Sequence, residues 1–121
     1  MYQLKNKSIA YDPRLLRINI DSLLLYLIKE HSASYGYSLI KDLEQRSQGF
    51  FRFKEGTVYP ALRKLENEGL IKSEWRLSPK GKERRYYSIT SQGIKALDTK
   101  IAMWRSFTDA MEFVFNPGGG R

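Results

Sequence analysis

Lys80, Lys82, Arg84 and Arg85 crowd into the stretch between positions 80 and 85, with only Glu83 opposing them. Like charges held that close repel one another, and the phosphates of a polyanion relieve the repulsion while releasing counterions. A second group lies upstream, where Thr57, Tyr59, Pro60, Ala61, Arg63 and Lys64 share one short segment. It mixes hydroxyls with a guanidinium that can grip the O6 and N7 edge of a guanine, so it offers contacts to bases as well as to phosphates. Arg63 and Thr57 are the candidates for base contact. Tyr59 and Pro60 either start the helix that carries them or touch bases, and Lys64 either joins the site or pairs with Glu68 one turn on.

The chain as a whole leans the same way. Its 121 residues hold 21 Lys and Arg against 13 Asp and Glu, a formal charge of +8, with a pI near 9.8. Nucleic acid is therefore the first partner to consider. There is no cysteine, and His31 is the only histidine, so disulfides and thiolate or multi-histidine metal sites are not expected. No nucleophile–base pair and no Gly-rich phosphate loop is present, and neither an enzyme nor a cofactor is expected. The richest apolar run, Leu23 to Ile28, is far shorter than the roughly 20 residues a bilayer span needs. No signal-peptide core precedes it, so the expectation is a cytoplasmic protein with no membrane partner.

These groups need elements to position them. Met1 to Tyr11 reads as an arm without period. Asp12-Pro13 is a helix start, and Leu16, Ile20, Leu24, Leu27 and Ile28 recur at helical spacing, in one helix or in two with a second start at Asp21-Ser22. His31 to Ser34 is a polar connection, with His31 capping or crossing the end of the first helix and doing no chemistry. Tyr37, Ile40 and Leu43, with Leu39 beside them, give a second helix its inner face, ending near Ser47-Gln48-Gly49. Gly56-Thr57 opens a third helix, with Thr57 as N-cap, Pro60 in the first turn, and Val58, Leu62 and Leu65 facing inward. Gly69 stops it, and Leu70 should fold back on Leu65 as in a Schellman motif.

Ile71, Ser73, Trp75 and Leu77 then alternate with charged residues, and Arg85 to Ile89 is rich in strand formers, with a turn at Ser78-Pro79-Lys80-Gly81-Lys82 between them. Trp75 reads as a core anchor of that first strand. Thr90 is the N-cap of a last helix, Ser91 to about Phe115, roughly 37 Å long at 1.5 Å per residue. Three helices, a basic hairpin and a long helix in that order predict a mainly α fold with a small β-hairpin (α+β), a winged helix-turn-helix whose third helix enters a major groove. The expected divisions are an arm at 1–11, the DNA-binding domain at 12–90, a dimerisation helix at 91–115 and a flexible tail at 116–121.

The last helix is too long for so small a domain to cover. Its seam, Ile94, Leu97, Ile101, Trp104, Met111 and Phe115, is interrupted only by Thr108. Left bare, such a strip exceeds what soluble monomers tolerate, so a homodimer is expected. Trp104 either fills the dimer core or lines a cavity for a flat aromatic ligand.

The run GYSLIKDLEQRSQGFFRFKEGTVYPALRKLENEGLIKSEW, Gly36 to Trp75, resembles the PadR family of bacterial repressors in three places. These are a GY-containing second helix, a G-T-V-Y-P-A-L recognition helix and an L-E-x-x-G-L-I exit. RRYYSIT, Arg84 to Thr90, and SQGIKAL, Ser91 to Leu97, resemble that family's second wing strand and the opening of its last helix. The resemblance implies a homodimer joined through the terminal helices, binding an inverted-repeat operator on double-stranded DNA as a repressor, with a ligand pocket in some members. It suggests a phosphate contact for the Tyr37 hydroxyl, the other reading being a partly buried core aromatic, and Lys41 one turn on joins the same DNA-facing set. The chain departs from the pattern in its longer arm, in Tyr35 where a His often stands, and in lacking a separate C-terminal helical domain. The alternative function is a winged-helix module whose positive face meets an acidic protein.

Overall fold

In the computed structural model, residues 19–31 and 34–119 are described. The arm, the Asp12-Pro13 start with Leu16, and the last two residues of the tail lie outside them. Helix α1, Ile20–Glu30, buries Ile20, Leu24, Leu25, Leu27 and Ile28. It begins after Asn19, whose carbonyl accepts from Ser22 Oγ at 3.0 Å. Because its apolar residues wrap more than one face, α1 packs against every other helix and against the sheet. His31 closes it and hydrogen-bonds Asp42 through Nε2 at 3.1 Å, tying α1 to the next helix.

Helix α2, Gly36–Arg46, buries Leu39 and Leu43, with Ile40 partly covered. Tyr37, grouped with that inner face on the basis of spacing, points outward instead and is 48% exposed. A loop follows in which Phe53 is buried and stacks on Phe51 with ring centroids 5.9 Å apart. It leads into α3, Glu55–Asn67, which buries Val58, Leu62 and Leu65.

Helix α3 starts three residues earlier than a Thr57 N-cap predicts. Lys54 is the cap, without a side-chain bond, and its carbonyl accepts from the N–H groups of Thr57 and Val58 at 2.9 and 3.0 Å. Thr57 is thus inside the first turn and is not the N-cap. Pro60 moves to the second turn, where its missing N–H removes one bond onto the Gly56 carbonyl. Gly56 is exposed, so water can satisfy the carbonyl that loses this bond.

The exit of α3 follows expectation. Gly69 has φ +78°, its N–H donates to the Glu66 carbonyl, and the Leu70 N–H donates to the Leu65 carbonyl, both at 3.0 Å. That pair of bonds defines the Schellman motif.

Strand β1, Ser34–Tyr35, is an addition to what the sequence suggests. With β2, Ile71–Leu77, and β3, Glu83–Ile89, it makes an antiparallel sheet of order β1-β3-β2. Ile71 faces Ile89, Trp75 faces Arg85 and Leu77 faces Glu83, while Tyr35 faces Tyr86. Only the base of the hairpin, at Ile71 and Tyr87, is buried. Trp75 is 63% exposed and Leu77 also lies open. The expected role of Trp75 as a core anchor is therefore wrong, because the core ends at the hairpin's base and the tip has nothing to pack on.

Helix α4, Ser91–Phe115, begins at Thr90, whose Oγ1 accepts from the Gly93 N–H at 3.0 Å. The same hydroxyl donates to the Gly69 carbonyl at 2.7 Å, linking the end of α3 to the start of α4. Thr90→Ala removes both contacts and should cost about 1–2 kcal/mol of stability, read as a lower urea midpoint at unchanged m-value.

Candidate nucleic-acid interface

The outward stripe of α3 follows from its buried one. Opposite Val58, Leu62 and Leu65, helical spacing places Gly56, Pro60, Arg63 and Asn67 in a line, all exposed. Arg63 has no ion-pair partner among the described residues. Asn67 was missed in the sequence, although its i+4 spacing from Arg63 was available, and its amide can pair with an adenine edge.

Flanking that stripe, Tyr59 lies against the start of α2. A Cβ on Gly36 would fall 2.5–2.7 Å from the Tyr59 ring, so the glycine lets the two helices meet. Burial, helped by the charge of Glu55, pushes the Tyr59 hydroxyl above its usual range, and Arg84 opposes the shift. The Arg84 guanidinium lies 4.3 Å from the Tyr35 ring centroid, and Tyr35 packs edge-on to Tyr86. Arg84 is thus held by an aromatic platform on one face of the hairpin.

Arg85 occupies the opposite face. Its Nε donates to Ser73 Oγ at 2.8 Å, Ser73 Oγ donates to Glu66 Oε2 at 2.7 Å, and Arg85 Nη2 lies 3.4 Å from Glu66 Oε1. Through this chain of bonds the hairpin is fastened to α3, so the wing and the outward stripe of α3 occupy neighbouring surface. Lys80 and Lys82 crown the hairpin, exposed and without an ion pair among the described residues. The turn is fixed by Ser78, whose N–H donates to the Lys82 carbonyl at 2.7 Å, and by Gly81 at φ +82°.

Lys64 is drawn the other way. Its Nζ lies 2.8 Å from Asp21 Oδ2 on α1 and 3.9 Å from Glu68, and the bond to Asp21 raises its pKa. Thr57 is half-buried on that same flank. On α2, Lys41 lies over the Tyr37 ring at 5.4 Å, both exposed.

The second predicted surface divides in two. Leu97 is 1% exposed and Ile101 packs on the chain's own core. Ile94, Trp104, Thr108, Met111 and Phe115 stay open, and so do Met103, Phe107 and Val114, a second apolar stripe one position round the helix. Trp104 sits between two grooves. One of about 410 Å³ runs past Leu23, Tyr26, Leu43 and Phe51, and one of about 550 Å³ runs past Met103, Phe107 and Met111.

A helix-turn-helix, a basic wing tied to its third helix and a long final helix are the parts of a winged-helix regulator. Residues 24–99, more than half of the chain, match the Transcriptional regulator PadR-like family. The chain belongs to that family. Among solved structures, a transcriptional regulator from Clostridium thermocellum superimposes with a TM-score of 0.75 at 31% identity, covering 84% of this chain and 94% of that one. A PadR family transcriptional regulator from Eggerthella lenta gives 0.74 at 31% identity over 85% and 87%. A protein of Lysinibacillus sphaericus is 30% identical over 98 residues, 81% of this chain and 89% of its own. The PadR-like fold accounts for the α+β architecture and the long α4. No helix among the described residues is long and apolar enough to cross a membrane.

Proposed function

We propose that this PadR-like protein regulates transcription by binding duplex DNA as a homodimer, with α3 in the major groove and the hairpin on the adjoining backbone. The observation that carries the reading is the Glu66–Ser73–Arg85 linkage, which fastens a wing bearing Lys80, Lys82 and Arg84 beside the Pro60, Arg63 and Asn67 stripe. Arg63 reads a base, Tyr37 and Lys41 contact a phosphate from α2, and Tyr59 and Pro60 shape the start of the reading helix. Thr57 and Lys64 border it, Lys64 exchanging Asp21 for a phosphate on binding. The exposed face of α4 pairs two copies, so that the operator is an inverted repeat and occupancy represses. A small planar aromatic compound in the grooves beside Trp104 would relieve repression by altering that pairing.

Fluorescence anisotropy with the DNA upstream of the protein's own gene tests the reading. Arg63→Ala should weaken binding about 10- to 100-fold and relax preference at one base pair. Lys82→Ala should weaken binding to all sequences alike and lower the salt slope by about one. Micromolar, sequence-indifferent binding at physiological salt, together with a stoichiometric acidic protein in a pull-down, would replace this reading by a protein-interaction role.

A further inference from the structure

The hairpin tip carries two side chains that no phosphate contact uses. Trp75 and Leu77 are among the most exposed large apolar residues outside α4, and they share one face of β2 with Ser73 and, across the ribbon, Arg85. That face is the one turned to α3 at its base, through Ser73 and Arg85 to Glu66. An indole left in water has a large apolar area that a partner can cover. The surroundings select the partner. On the pair's own face Arg85 lies 6.0 Å from the Trp75 ring centroid and Glu83 faces Leu77, while Lys80 and Lys82 crown the adjoining tip. Arg84 stands on the reverse face with Arg76, which pairs with Glu74, so the ribbon keeps an excess of positive charge suited to a polyanion.

Reach selects the place. From buried Ile71 to exposed Leu77, β2 runs seven residues, roughly 20 Å at 3.3 Å each. A major groove is about 12 Å wide, so a ribbon anchored beside a helix in that groove carries its tip past the bounding phosphates to the next groove. We infer that Trp75 and Leu77 form an apolar wing tip that packs into the minor groove flanking the base pairs read by α3, against its deoxyribose walls, while Lys80 and Lys82 hold the phosphates on either side. This rests on the DNA-binding reading above. Apolar side chains in a minor groove also favour sites whose flanks open or bend readily, so the tip contributes to site choice without hydrogen-bonding a base.

The test uses the full chain and the upstream duplex, with Trp104→Phe leaving Trp75 as the sole tryptophan. Saturating duplex should shield Trp75 from acrylamide severalfold. Should Trp104→Phe impair assembly, the difference between wild type and Trp75→Phe gives the same readout. Trp75→Ala should weaken binding about tenfold, the effect of losing roughly 60 Å² of apolar burial, with the salt slope unchanged. Trp75→Phe should keep most of the affinity. Trp75→Lys decides between apolar packing and simple attraction: it adds a cation, yet should bind more weakly than wild type. A Trp75 equally open to quencher with and without duplex, or a Trp75→Lys protein that binds as tightly as wild type, overturns the inference. Loss of the Lys82→Ala effect would instead overturn the DNA-binding reading itself.

Discussion

Gly93→Ala should destabilise the protein by about 3 kcal/mol, the upper part of the range for overpacking a closed site. A methyl carbon there would lie 2.0 Å from the Leu70 carbonyl oxygen and 2.7 Å from Ile89 Cγ1. The oxygen cannot retreat cheaply, because it accepts the Thr90 N–H at 3.1 Å and belongs to the turn that ends α3. Relief requires α4 to lift from the sheet, which also pulls Thr90 from its bonds to Gly93 and Gly69. Gly56→Ala is the control, since nothing lies within 4 Å of a Cβ at that position. Alanine is the better helix former, so this change should be neutral or stabilising by up to about 1 kcal/mol. Urea denaturation of both variants at one protein concentration decides the matter. A Gly93→Ala midpoint close to that of Gly56→Ala would show that α4 does not sit on Leu70 as described.

Trp104→Glu combined with Phe107→Glu should convert the protein to a monomer and lower its affinity for an inverted-repeat operator by about 10²- to 10⁴-fold, the avidity lost when two linked half-site contacts become independent. Two carboxylates from each copy would be desolvated across a symmetric, largely apolar face. The fold should survive, because Trp104 is 51% and Phe107 63% exposed. Unchanged circular dichroism alongside a halved sedimenting mass is therefore the expected pair of results. Leu97→Glu makes the contrast, since that side chain belongs to the chain's own core and its replacement should unfold the protein. If the double variant sediments as wild type does, α4 is not the surface that joins two copies.

The two helix faces differ for a reason that the seam's periodicity conceals. Ile94 to Phe115 reads as one stripe, yet α1 is only 11 residues long and covers the α4 face no further than Ile101. Beyond it the same spacing continues with nothing of this chain's described residues upon it. Length alone announced that α4 overhangs the domain. Where the overhang starts, and that Met103, Phe107 and Val114 widen it, emerged from the packing.

The sequence by itself determined the features that neighbours along the chain enforce. Gly69 ends α3 because only a residue free to take φ +78° closes the turn there, Thr90 caps α4 because its hydroxyl reaches a donor three residues on, and the charge of the wing is a matter of composition. Tertiary structure alone decided what distant segments do to one another. β1 is two residues long and exists because β3 offers it a ladder, and the start of α3 fell at Lys54, where no side-chain signal marks it. Lys64 turned to Asp21, 43 positions away, and Trp75 was left in water because the core stops short of the hairpin tip. Local preferences act over one turn or one strand, whereas burial and charge pairing depend on which surfaces meet, and that is settled only when the whole chain has closed.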